Sequence, residues 1–186
     1  MANSEYQAEK KIETALFACG CFWCLEAQFQ HLEGVLEIVP GFTGGHLPHP
    51  TYEQVCTGNT GHAETCKITF DTRQISYKQL LMAFFKAHDP TQLNRQGNDI
   101  GTQYRSALFY LDEEQHAAIE ACLALLRSEH VYDRPIVTEV CAATTFYPAE
   151  DYHKDYYNLH GDNPYCALVV QPKVKKFLRY LEGNFQ

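Results

Sequence analysis

The hydrophobic positions fall into short, distinct periodicities. Ala15 to Gly20 reads as a strand, and the apolar stripe Phe22, Leu25, Phe29 and Leu32, at spacings of three and four, predicts a helix ended by Gly34. Val35 to Phe42 is the next strand. Thr65 to Phe70 alternates strictly, with Cys66, Ile68 and Phe70 on one face, so it predicts a half-buried strand. Ser76 with Gln79 forms a capping box ahead of a helix whose stripe is Tyr77, Leu80, Leu81, Phe84 and Phe85. Tyr104 to Leu111 is a further strand. Asp112 with Gln115 starts a third helix through Arg127, carrying Ile119, Cys122, Leu123 and Leu126. The order strand, helix, strand, strand, helix, strand predicts an α+β ferredoxin-like split β-α-β sandwich. A helix after Pro148, a short strand at Ala167 to Val170 and a last helix begun by Pro172 are appended. Two long loops interrupt the plan, Pro40 to His62 and His88 to Gln103. Structureless loops of such length are uncommon in compact domains unless they serve a site, so both are expected to line one.

Composition narrows the classes. The chain has 186 residues, 45% of them hydrophobic and 13% aromatic, which suits a globular domain with its own core. With no repeat and no low-complexity linker, it reads as one catalytic domain over 1–186, its core over 12–182 and residues 1–11 a flexible N-terminal segment. A net charge of −8 argues against nucleic acid or an anionic membrane as partner, since both favour a basic surface. No apolar run is long enough to span a bilayer, and Met1 to Lys11 lacks the apolar region of a secretory signal, so the cytoplasm is the expected compartment. In a reducing compartment most of the eight cysteines are expected as free thiols. Cys56, Cys66, Cys122 and Cys141 lie in or beside apolar segments and read as inert filler.

Cys19, Cys21 and Cys24 cluster. Cys21 sits where a strand hands over to a helix, just past Gly20, and there the unpaired N–H groups and helix macrodipole are expected to lower its pKa and make it a nucleophile. Phe22 and Trp23, the latter the only tryptophan, place an apolar cage beside that thiol. Cys24 lies three residues on, along the same helical face. The Cys-x-x-Cys spacing admits a redox pair, part of a metal site with Cys19, or a packing cysteine. No second pair at matching spacing completes a zinc site, so no metal is expected. A general thiol-disulfide oxidoreductase using Cys21 and Cys24 explains the pair equally well, but leaves the long loops without purpose.

Gly20-Cys21-Phe22-Trp23 resembles the signature of the type A peptide-methionine (S)-S-oxide reductase family, in the variant with Cys after Trp. Further segments agree in order: Gly44-Gly45-His46, Pro50 to Val55, Gly61-His62-Ala63-Glu64, His88-Asp89-Pro90-Thr91, Gly97 to Ser106, and Phe146 to His153. The resemblance covers residues 15 to 180. It implies reduction of methionine S-sulfoxide, free or in proteins, and hence protein repair. Cys21 is then the attacking thiol and Glu64 the acid that protonates the sulfoxide oxygen, which needs a raised pKa. Tyr52 and Tyr104 hold that oxygen, Asp99 hydrogen-bonds substrate or water, and Phe22 with Trp23 cages the methyl group. Asp151, Tyr152 and His153 match the family without an assigned role. A second thiol condenses with the Cys21 sulfenic acid to a disulfide. Cys24 is one choice, although a bridge within a first helical turn is expected to need unwinding. Cys166 is the other, since many relatives carry this cysteine in a mobile C-terminal segment. The resemblance further implies no bound cofactor, thioredoxin or another dithiol as reductant, and action as a monomer.

Overall fold

A computed structural model describes residues 11–184, so the N-terminal segment 1–11, with the reading that it carries no secretory signal, lies, but for Lys11, outside the described residues. Six strands form one sheet: β1 (Ile12–Cys19), β2 (Val35–Thr43), β3 (Ala63–Asp71), β6 (Ser106–Tyr110), β7 (Glu139–Ala142) and β8 (Tyr147–Pro148). A separate two-stranded ribbon pairs β4 (Arg95–Gln96) with β5 (Asp99–Ile100). The helices are α1 (Phe22–Phe29), α2 (Tyr52–Cys56), α3 (Tyr77–Ala87), α4 (Glu113–Ser128), α5 (Tyr156–Leu159) and α6 (Gln171–Asn184).

The sheet runs β7-β6-β1-β3-β2-β8. Its inner order, β6-β1-β3-β2, is antiparallel throughout, and only the edge pair β6 and β7 is parallel. With α1 and α3 as the crossovers this is the split β-α-β arrangement that the pattern predicts.

Strand alternation sorts the two faces. Ala15, Phe17 and Cys19 of β1 join Cys66, Ile68 and Phe70 of β3 in a core shared with Phe22, Leu25, Phe29, Leu80, Leu81 and Phe84 of the helices. Leu16 and Ala18 face the other side, where Ala107, Phe109 and the stretch Cys141, Ala143 and Phe146 cover them. Two helix starts follow the sequence closely. The Ser76 hydroxyl accepts from Gln79 N at 3.1 Å while Gln79 Oε1 accepts from Ser76 N at 2.9 Å. Asp112 Oδ1 accepts from Gln115 N at 2.8 Å, and Gln115 reaches back to accept from Leu111 N.

Several elements depart from the pattern. The apolar run 167–170 is no strand: Cys166–Val170 is a π-helical turn leading into α6, with Cys166 and Val170 buried and Leu168 exposed. A short apolar run does not distinguish strand from helix by periodicity, and the burial spacing of four is helical. Helix α1 stops at Phe29, five residues before Gly34, because the amides of His31 and Leu32 bond three residues back and close a turn. Tyr104 lies in a 3-10 turn, Thr102–Tyr104, held by Tyr104 N to Gly101 O at 3.0 Å, so strand β6 begins only at Ser106. After Pro148 come a 3-10 turn, Asp151–His153, and the single-turn α5. Neither long loop is structureless: one carries α2, capped by Thr51 and Gln54, and the other the β4–β5 ribbon. Cys66 and Cys122 are buried, whereas Cys56 is exposed and Cys141 half-buried.

Candidate active site

The strand-to-helix junction is built around Gly20. Its φ is +95°, a region that disfavours side chains, and a Cβ there would lie 2.8 Å from Cβ of Gln96. Gln96 is itself pinned: Oε1 accepts from Asp89 N at 3.1 Å and Nε2 donates to Asp89 O at 2.9 Å. The ribbon that carries Asp99 therefore docks directly on the residue before Cys21.

Cys21 is the N-cap of α1, extended at ψ 125°, and only 6% exposed. Its side chain shares a small buried cluster with that of Cys24, while its carbonyl accepts from Cys24 N at 3.1 Å. The expected lowering of the Cys21 pKa is reversed. Burial, then the Cys24 bond and charge and then Glu64, push its thiol well above the ordinary value. The helix does not compensate, since the sulfur receives no capping hydrogen bond from its N–H groups. Cys24 is the thiol that goes down: the bond from Cys21 leads, and Lys173 and Tyr165 assist against burial.

Glu64 lies on β3, two residues before Cys66 and hence on the same face. Cys66 Sγ donates to Phe22 O at 3.5 Å, which sets this end of β3 against the start of α1. The Glu64 carboxyl is 2% exposed, and neither oxygen has a hydrogen-bond partner. Burial above all, then Asp99 and Cys24, hold its pKa well above the carboxylate range. A buried polar group left unpaired needs an explanation, and burial that favours its neutral form is consistent with the raised pKa.

Aromatic rings wall the site. Phe22 is fully buried, its ring 5.7 Å from Phe42 and 6.1 Å from Tyr52. Trp23 is half-buried and stacks on Tyr156 at 3.8 Å between centroids and 6° between planes. Its Nε1 donates to His153 Nδ1 at 3.1 Å, and His153 packs on Tyr52 at 4.4 Å. The Tyr52 amide donates to Glu150 Oε1 at 3.0 Å. Burial and then Glu64 raise the Tyr52 and Tyr104 hydroxyls, with Cys56, Asp99 and Cys21 also acting on Tyr104, so both remain donors. Asp99 Oδ2 accepts from Tyr165 OH at 2.5 Å, and that hydroxyl lies 4.0 Å from Cys24 Sγ.

Cys166 is fully buried in a small cluster with Cys21, Cys24, Ala27, Val170 and Val174. Burial raises its pKa. Among the described residues, no group of three or more His, Cys, Asp or Glu is arranged to hold a metal ion.

The structure thus gathers Cys21, Cys24, Glu64, Phe22, Trp23, Tyr52, Tyr104, Asp99 and Cys166. Tyr156, Tyr165, Glu150 and Lys173 join them unforeseen, and His153 acquires a contact to explain its place in its motif. The density of aromatics between Tyr152 and Tyr165 is the signal in the sequence that marks this segment. Tyr152 and Asp151, by contrast, point to the exposed surface. The wall is tethered from behind by Glu26 on α1. This buried carboxyl accepts from Asp155 N at 2.7 Å, ahead of α5, and burial raises its pKa to about 7. His62 closes the first loop: Nδ1 accepts from Gly45 N at 3.0 Å, so Nε2 carries the proton and donates to Leu47 O at 2.7 Å.

A family model described as peptide methionine sulfoxide reductase matches residues 13–184. The peptide methionine sulfoxide reductase MsrA of Saccharolobus solfataricus is 52% identical over 168 residues, 90% of this chain and 94% of its own. That of Thermus thermophilus is 53% identical over 164 residues, 88% of this chain and 92% of its own. The crystal structure of reduced Mxr1 from Saccharomyces cerevisiae, 30% identical, superposes with a TM-score of 0.78 over 84% of this chain and 90% of that one.

Proposed function

The chain belongs to the peptide methionine sulfoxide reductase family and reduces methionine sulfoxide to methionine in the repair of oxidised proteins, and on that premise we propose how its own residues perform the reaction. Cys21 is the nucleophile and Glu64 the acid. The observation that supports this reading is the buried Glu64 carboxyl, neither oxygen hydrogen-bonded and its pKa raised by burial, on the strand end that packs against the start of α1. Phe22 and Trp23 take the methyl group, while the Tyr52 and Tyr104 hydroxyls donate to the sulfoxide oxygen and Asp99 orients the substrate or a water. The site acts within one catalytic domain and needs no resident cofactor.

Cys21 sulfur attacks the sulfoxide sulfur as Glu64 protonates the oxygen, which would otherwise be a very poor leaving group. The S=O bond breaks, methionine departs two electrons richer, and Cys21 keeps the oxygen as a sulfenic acid. The thiol proton given up by Cys21 restores Glu64, so the step balances without an outside proton. Cys24 then forms the disulfide with Cys21 and water leaves. Both thiols are buried in the Cys21 cluster, and the lowered pKa of Cys24 against the raised one of Cys166 favours Cys24. Thioredoxin or another dithiol regenerates the pair. Free methionine sulfoxide is a substrate as well, the protein acts as a monomer, and its compartment is the cytoplasm. No helix among the described residues is long and apolar enough to cross a membrane.

Single-turnover assay with the S epimer, without reductant, tests this reading. One methionine per enzyme is expected from the wild type and none from Cys21→Ser. Methionine release by Cys21→Ser at the wild-type rate removes Cys21 from the mechanism.

A further inference from the structure

The π-helical turn Cys166–Val170 runs without a break into α6. Val170 and Val174, one helical turn apart, both pack into the cluster that holds Cys21 and Cys24. Lys173 stands three residues after Val170, next to that face, and its Nζ lies 3.8 Å from Cys24 Sγ. Among the described residues no carboxylate lies within ion-pair distance of that nitrogen, and the Cys24 sulfur is its hydrogen-bond partner. Lys173 is also the leading positive charge acting on Cys24. The other titratable groups around the sulfur are the thiols Cys19, Cys21 and Cys166, the Tyr165 phenol, and the carboxyls Glu64 and Asp99, none of them positive. A lysine on an otherwise apolar face, turned onto a buried sulfur, stabilises negative charge there more than in water.

We propose that Lys173 is the positioning residue of the disulfide-forming step: its ammonium holds Cys24 as the attacking thiolate beside Cys21. The inference rests on Cys24 being the resolving thiol. Cys24 thiolate attacks the sulfur of the Cys21 sulfenic acid, the new S–S bond forms, and the S–O bond breaks. Hydroxide leaves and becomes water with a proton from solvent. The Cys24 sulfur is oxidised and the Cys21 sulfur reduced, and Lys173 ends the step facing a neutral disulfide. The single-residue insertion of the π turn matters here, because each added residue rotates the rest of the helix by about 100°. The turn therefore sets which side of α6 meets the thiol pair.

Reduced enzyme mixed with methionine S-sulfoxide, without reductant, allows methionine release and disulfide formation to be followed separately between about pH 6 and pH 9. In Lys173→Met the ratio of disulfide rate to methionine-release rate is expected to fall about tenfold at neutral pH and to recover as pH rises, because only the thiolate attacks. Lys173→Arg, which keeps the charge, retains the ratio. Lys173 is half-exposed, and Lys173→Gln gives the same comparison should the Met variant not fold. An unchanged ratio and pH profile in the neutral variants overturns the role of Lys173. Failure of the underlying reading looks different: Cys24→Ser would then close a Cys21–Cys166 disulfide at the wild-type rate, identified by peptide mapping.

Discussion

Trp23 Nε1 donates a 3.1 Å hydrogen bond to Nδ1 of His153, so the indole beside Cys21 takes its orientation from a residue 130 positions away. His153 is fully buried, and with Nδ1 accepting, its proton sits on Nε2. His153→Leu keeps the bulk and removes the acceptor, leaving a buried N–H unpaired at about 1–3 kcal/mol. The expected outcome is a KM for methionine sulfoxide raised about tenfold, with kcat less affected and an altered emission of Trp23. Steady-state kinetics and fluorescence check it; an unchanged KM with unchanged emission would show that the contact does not orient the ring.

The same residue carries a pH dependence. Burial lowers the His153 pKa below its ordinary 6.5, so the native state binds fewer protons than the unfolded chain as pH falls below 6.5. Stability that is fully present above that pH is lost progressively towards the lowered folded value. Trp23 emission should stay constant from alkaline pH down through 6.5 and change only below it, in a titration of the free enzyme.

Glu64 works in the opposite sense. Its pKa is raised from 4.5, so the protonated carboxyl stabilises the fold at low pH and that contribution disappears as pH rises through the folded value. Glu64→Gln should therefore unfold at a higher temperature than wild type at pH 8 while reducing sulfoxide about 10²- to 10⁴-fold more slowly. Calorimetry and single-turnover rates read the two effects. A variant that is stabilised but equally fast would leave Glu64 a buried acid without a catalytic task.

Gly20→Ala forces a side chain into φ +95° and against Gln96. Strain of about 1–3 kcal/mol is expected, seen as a lowered Tm. Gln96→Gly in the same chain should recover the part caused by the clash but not the part caused by φ. Full recovery would mean that the backbone there is unstrained.

Much of this site is legible along the chain. The junction at Gly20 and Cys21, the β3 alternation that puts Glu64 on the face of Cys66, and the Ser76 box all follow from local spacing. Thr51 and Gln54 carry the same capping signal as Ser76 and Gln79, so α2 was equally readable. The stretch from Tyr152 to Val170 resists such reading, because α5 and the π turn are too short to establish a period. Their residues are fixed by contacts across the chain, such as Tyr165 to Asp99 over 66 positions and Asp155 to Glu26 over 129. The Cys21 pKa fails for a related reason. A helix start is visible in sequence, but the burial that outweighs it belongs to the assembled fold.

Helix α1 spans eight residues. Within it and its cap lie Cys21, Cys24, the rings of Phe22 and Trp23 and, one turn on, the Glu26 tether for α5. The spacing among these groups is a property of helical geometry and varies little while the helix exists. Tertiary structure adds the opposing jaw: Glu64, Tyr52, His153 and Lys173 arrive from four other segments. The site is therefore a fixed die pressed against an adjustable anvil. A substitution in one of those four segments alters the anvil without retooling the die.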